Sequence, residues 1–155
     1  MDGVMVDTGE FHLQAWNKVL VDYAIPFSKE IFRTTFGMNN TGLLAKISDG
    51  QLAPEQVAEI SSRKESQFRQ DVHGKVQLLP GVRAWLQLAH DLGYAQAVAS
   101  SAPQANIDLL LDELDVCHFF QAHLFFVIRV CRICDSSTCL RKLRWYSLPS
   151  SENGR

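Results

Sequence analysis

The stretch from Val82 to Leu114 constrains the fold more than any other part of this sequence. An amphipathic run from Val82 to Leu92 reads as a helix ended by Gly93. Residues 95–99 (AQAVA) form a short apolar run, the pattern of a buried strand. Ser100-Ser101-Ala102-Pro103 makes a turn, and Leu109, Leu110, Leu111 and Leu114 mark the apolar face of the next helix. Helix, buried strand, tight turn and helix in that order form a unit of a doubly wound α/β sheet.

What precedes this unit has a different period. Phe11, Ala15, Trp16, Val19, Leu20 and Tyr23 recur at three- and four-residue spacing, which predicts a helix over 8–24. Asp7 is placed to cap it, with Glu10 three residues on, and Pro26 follows its end. Ser28 caps a second short helix with Ile31 and Phe32 facing inward, residues 40–48 suggest a third, and Asp49-Gly50 is a turn. Pro54 suits the first position of a long helix reaching Val72. Residues 10–78 therefore read as a helical insertion into an α/β protein, with boundaries near 9–12 and 76–80. The expected organisation is a partial core from 1–10 and 79–120, a helical segment over 11–78, and a separate tail over 121–155.

Composition narrows the function classes. With 46% apolar and 21% charged residues and a net charge of −2, the 155-residue chain is ordinary globular protein. It carries no global field for nucleic acid or anionic membrane. No run of about 18 apolar residues is present to span a bilayer. Residues 1–15 contain acids and no basic residue, unlike a secretory or transit peptide, so the expected compartment is the cytoplasm. All four cysteines, Cys117, Cys131, Cys134 and Cys139, fall in the last quarter, which fits a reducing compartment for the body of the chain.

Two short motifs carry chemistry. Asp2-Gly3-Val4-Met5-Val6-Asp7-Thr8 puts a carboxylate on a tight turn, where it can shuttle a proton or help hold Mg²⁺. Alone, Asp-Gly is a common turn dipeptide. Val98-Ala99-Ser100-Ser101 ends an apolar strand in a small hydroxyl just before a helix N-terminus, an arrangement suited to one anion. Alone, it reads as a helix cap.

Together they resemble the haloacid dehalogenase superfamily, and within it the beta-phosphoglucomutase-like phosphatases with a helical cap. The family pattern Asp-x-Asp-Gly-Val-x-x-Asp-(Thr/Ser), followed by His and Ala-Trp, is matched by Asp2-Gly3-Val4, Asp7-Thr8, His12 and Ala15-Trp16. The resemblance runs from residue 1 to about residue 120 and implies a Rossmann-like core with an inserted α-helical cap. It implies Mg²⁺-dependent phosphoryl transfer from a small phosphorylated metabolite, a sugar phosphate being favoured, through an aspartyl phosphate. Asp2 matches the acid/base aspartate, and its backbone carbonyl would contribute to the metal site. Ser100 matches the phosphate-binding residue, with Ser101 beside it as phosphate partner or cap. His12 and Lys64 are expected near the reacting groups, Lys64 in preference to Arg63. Thr8, Gly37, Asn39 and Asn40 are expected at the substrate and cap loop.

The same resemblance marks departures. The family's nucleophilic aspartate would stand one residue before Met1, and no Lys-Pro or acidic pair follows residue 117. The expectation is an incomplete, inactive copy with a frameshifted or irregular tail, or else a non-catalytic remnant acting in binding. A zinc site on Cys131, Cys134 and Cys139 with Cys117 or His118 is the competing reading of the tail.

Overall fold

A computed structural model of the chain describes residues 1–125 and 132–133. The helices are α1 (Gly9–Leu20), α2 (Lys29–Thr35), α3 (Asn40–Ile47), α4 (Pro54–Val72), α5 (Val82–Asp91) and α6 (Gln104–Glu113). The strands are β1 (Ala97–Ser100), β2 (Ala122–Phe125) and β3 (Arg132–Ile133), ordered β1-β2-β3 in one sheet. Strand β1 pairs in parallel with β2, Ala97 opposite Ala122 and Ser100 opposite Phe125, and β2 pairs antiparallel with β3. The fold is a partial α/β core carrying a helical insertion. Among the described residues, no helix is long and apolar enough to cross a membrane.

The insertion leaves and re-enters the core at one place. Val6 bridges Leu78 in antiparallel fashion, and the Leu79 N–H donates to the Met5 carbonyl at 2.8 Å. Its two ends, held together at the core, bracket helices α1 to α4. That unit packs on Trp16, Val19, Leu20, Leu43, Leu44 and Ile60. The α/β part packs on Met5, Val6, Val98, Ile107, Leu111, Val116 and Phe119. Ala15, Phe68, Val72 and Leu110 form a third cluster that joins α1 and α4 to α6.

Local chemistry explains most element ends. Ser28 Oγ accepts from the Ile31 N–H at 3.2 Å, and Asn39 Oδ1 accepts from the Gly42 N–H at 2.8 Å, so both short helices are capped by side chains. Pro54 opens α4, where Gln56 accepts from the Ala53 N–H at 3.0 Å. Gly93 takes φ +76° after α5, a left-handed turn that favours glycine.

Four expectations are corrected. Residue Thr8, not Asp7, occupies the N-cap of α1. Asp7 accepts only from the Gly9 N–H at 3.2 Å, and Glu10 turns to Gln14. Strand β1 begins at Ala97 rather than residue 95, because Tyr94 still bonds back to Ala89 of the helix end. It is also not buried throughout. Only Val98 is enclosed, since among the described residues β1 is paired on one side alone. The α/β part also continues past residue 120. The Gln121 N–H donates to the Gln96 carbonyl at 3.0 Å, and the Gln96 N–H donates to Gln121 Oε1 at 2.7 Å, which sets β2 beside β1. The zinc reading on Cys131, Cys134 and Cys139, and the tail from residue 134, fall outside the described residues.

Candidate active site

A cavity of about 590 Å³ lies between the helical insertion and the α/β part. Asp2, His12, Gly37, Asn39, Asn40, Lys64, Ser100 and Ser101 all line it, so eight of the nine residues expected from sequence converge there. Thr8 does not. It is 1% exposed and sits behind Asp2, to whose Oδ1 its hydroxyl and its N–H (3.3 Å) both donate. It holds the carboxylate rather than a substrate. Arg63 points away, to Asp22 and Tyr23, while Lys64 one residue on is 3% exposed inside the cavity wall. A shift of one residue turns a helix by about 100°, which separates the two cations.

The polar side chains form a chain of contacts. Glu65 Oε1 accepts from Lys64 Nζ at 2.9 Å and from Asn40 Nδ2 at 2.8 Å, and Oε2 accepts from Asn106 Nδ2 at 2.6 Å. Asn106 is held in turn by Arg69, whose Nη1 donates to its Oδ1 at 2.9 Å. Lys64 Nζ also lies 2.9 Å from His12 Nδ1. An ammonium has no lone pair, so Nδ1 accepts and the ring proton resides on Nε2. That nitrogen faces Asp2 Oδ2 at 3.7 Å. The imidazole is held flat by Phe68, 4.0 Å away and 5° from parallel. Glu65 and Asn106 escaped the sequence reading. The available signal for Asn106 was its place in the 106, 107, 110, 111 buried face of α6, where a polar residue needs a partner.

On the α/β side, Ser100 ends β1 with its Oγ accepting from the Ala102 N–H at 3.2 Å, which leaves the hydroxyl proton to donate. Helix α6 starts at Gln104 with Pro103 as its N-cap residue, so the capping role expected of Ser101 is not realised; Ser101 is exposed to the cavity instead.

Charge states follow from these contacts. Burial raises the Asp2 carboxyl, but the neighbouring His12 and the Thr8 hydrogen bonds outweigh it and hold the group below the ordinary range. Burial likewise raises Glu65, and the Lys64 charge with three hydrogen-bond donors brings it below the ordinary range. Burial lowers the Lys64 ammonium, and Glu65 offsets this only in part. Both carboxylates have depressed folded values, so their contribution to stability is complete above the ordinary carboxylate pKa, about 4. It is lost as pH falls through the folded values. The depressed Lys64 value has the opposite consequence at neutral pH: it is a cost, relieved as pH rises through the folded value towards about 10.4. Urea unfolding at a series of pH values is expected to show stability dropping below about pH 5, with a shallower drop in an Asp2→Asn/Glu65→Gln variant. Parallel curves for the two proteins would contradict this assignment.

Mg²⁺ prefers six oxygen ligands in octahedral array. Among the described residues no group of three or more His, Cys, Asp or Glu is placed to hold a metal, and Glu65 has both oxygens engaged. Asp2, whose backbone carbonyl the family resemblance leads one to expect in a metal site, lines this cavity.

The family model described as haloacid dehalogenase-like hydrolase matches residues 1–126. The chain belongs to the haloacid dehalogenase-like hydrolase family. Its curated relatives within this hydrolase family include the phosphorylated carbohydrates phosphatase of Thermotoga maritima, 23% identical over 125 residues that cover 81% of this chain and 58% of the relative. Protein CbbY of Rhodobacter capsulatus is 27% identical over 118 residues, covering 72% of this chain and 52% of CbbY. The crystal structure of a family IA, variant 3 hydrolase of the same superfamily from Entamoeba histolytica shares the fold with a TM-score of 0.71 at 15% identity, over 84% of this chain and 61% of that one. The chain thus spans a little over half the length of the curated relatives it matches.

Proposed function

We infer that residues 1–125 form the substrate-binding side of a phosphatase or phosphomutase site for a small phosphate ester, with phosphorylated carbohydrates as the substrate class suggested by the Thermotoga maritima relative. The observation that carries this reading is the convergence of Ser100, Asp2, His12 and Lys64 on one cavity. Ser100 offers a hydroxyl donor beside the N-terminus of α6, where backbone N–H groups and the helix dipole favour an anion. Lys64, on the same cavity, supplies positive charge. The helical insertion acts as the cap that shields the ester from water.

Asp2 is the proton-transfer group in this reading. Ionised at neutral pH, it is set to accept a proton from an incoming hydroxyl, and the Nε2–H of His12 stabilises the carboxylate from the side. Mg²⁺, which the family resemblance implies, would supply charge neutralisation of the phosphoryl oxygens, but the described residues do not by themselves provide the oxygen ligands it needs.

The second reading, binding without turnover, is favoured by the state of the cavity's two carboxylates. Glu65 is saturated by three donors, and Asp2 is engaged by Thr8 and His12, so neither is a free nucleophile. The 155-residue polypeptide is therefore expected to bind inorganic phosphate and sugar phosphates while hydrolysing them negligibly. Replacing Ser100 by alanine removes a hydrogen bond to a charged group, worth about 1.5–3 kcal/mol, and should weaken phosphate binding by roughly tenfold or more. Calorimetric titration with phosphate checks this. An unchanged affinity would remove Ser100 from the site, and rapid release of phosphate from an ester would reject the non-catalytic reading.

A further inference from the structure

The two walls of the cavity differ in kind. At one end Ser100 and Asp2 come from the α/β part, and His12 and Lys64 from helices α1 and α4 of the insertion. The segment of the insertion made by α2, the loop after it and α3 presents Phe32, Phe36, Met38 and Leu43. Phe36 and Met38 are large apolar side chains that remain 57% and 48% exposed. Phe36 is the open end of an aromatic row: its ring meets Phe32 at 5.3 Å, Phe32 meets Phe27 at 6.3 Å, and Phe27 meets Trp16 at 6.1 Å. The inner members of the row are packed, so the outer ring is held in place from behind.

The polar side chains on this same wall are wholly or partly committed elsewhere. Thr35 is 1% exposed, and its hydroxyl donates to the Ile31 carbonyl at 2.8 Å. Asn39 uses its carbonyl oxygen to cap α3 at 2.8 Å, and Asn40 donates to Glu65 at 2.8 Å. A polyhydroxylated ring pressed against such a wall would lose water from several hydroxyls and recover few hydrogen bonds. A flat apolar face would instead cover Phe36 and Met38 and stack on a ring already fixed in position.

We propose that the site selects phosphate esters whose organic part presents a flat apolar face, an aryl-type ester, over simple sugar phosphates. This rests on the reading of Ser100 as the phosphate seat and departs from the carbohydrate class suggested by the relative: the phosphoryl group lies at the Ser100 end, and the flat group lies against Phe36 and Met38. A cavity of about 590 Å³ has room for both parts.

The test is calorimetric titration of the full chain with three probes: phenyl phosphate, a hexose 6-phosphate and inorganic phosphate. Phenyl phosphate is expected to bind roughly tenfold more tightly than either of the others. Phe36→Ala and, separately, Met38→Ser, both at exposed positions, should bring the phenyl phosphate to inorganic phosphate ratio close to one. Hexose phosphate binding as tightly as phenyl phosphate overturns the proposal and leaves the phosphate seat standing. A ratio unaffected by either substitution does the same. Failure of all three probes to bind overturns the phosphate seat itself, and the proposal with it.

Discussion

Replacing Glu65 by alanine is expected to destabilise the folded chain by about 3–5 kcal/mol, the usual consequence of removing one member of a buried ion pair. The magnitude follows from what is left behind. Lys64, 3% exposed, would keep its charge without a counter-ion, and the amide groups of Asn40 and Asn106 would lose their acceptor. These three partners belong to α4, the start of α3 and α6, so one side chain links the helical insertion to itself and to the α/β part. Against a typical domain stability of about 5–15 kcal/mol, such a loss is large. Replacing both charged residues by methionine should recover part of it, because the pair's desolvation cost disappears with the pair. Recovery stays incomplete, since two buried amides still lack an acceptor, at about 1–3 kcal/mol each. Urea denaturation of the two variants decides the matter. A Glu65→Ala loss below about 1 kcal/mol would mean that water reaches these groups and that the cavity is looser than described.

Phe68→Ala is expected to cost about 3–5 kcal/mol by a different route. Phe68 is fully enclosed in the cluster that joins α1 and α4 to α6, and it packs with Ala15, Val72 and Leu110. Removing the ring leaves a void at the junction of the two parts, where neither can collapse without moving the other. The same ring is the platform for His12, and Lys64 Nζ lies 5.5 Å from its centroid. The variant should therefore weaken phosphate binding as well as stability. Phe68→Leu, which keeps most of the volume but not the flat face, should lose less stability while still releasing the imidazole. Comparison of the urea midpoints with the phosphate titration separates the two effects. Phosphate binding kept by Phe68→Leu and lost by Phe68→Ala would show that filling the space is the whole role of the ring.

The helical segments and their order were legible in the sequence because they depend on local pattern. Trp16, Val19 and Leu20 recur with helical spacing and end in the core, Ser28 caps the helix it precedes, and Pro54 starts the long helix it was expected to start. The family was legible from a few residues, since Asp2-Gly3-Val4 with Asp7-Thr8, His12 and Ser100 must stand at fixed spacing for their chemistry to meet. What tertiary structure alone decided is how these side chains spend their hydrogen bonds. The sequence offered Thr8, Asn39 and Asn40 equally as substrate contacts. Folding turned Thr8 behind Asp2, used Asn39 as a cap and gave Asn40 to Glu65. It likewise joined Asn106 to Glu65, forty-one positions away. No local pattern encodes these choices. A polar side chain takes whichever partner the packing brings within about 3 Å once water is excluded, and that partner is set by the approach of separate helices.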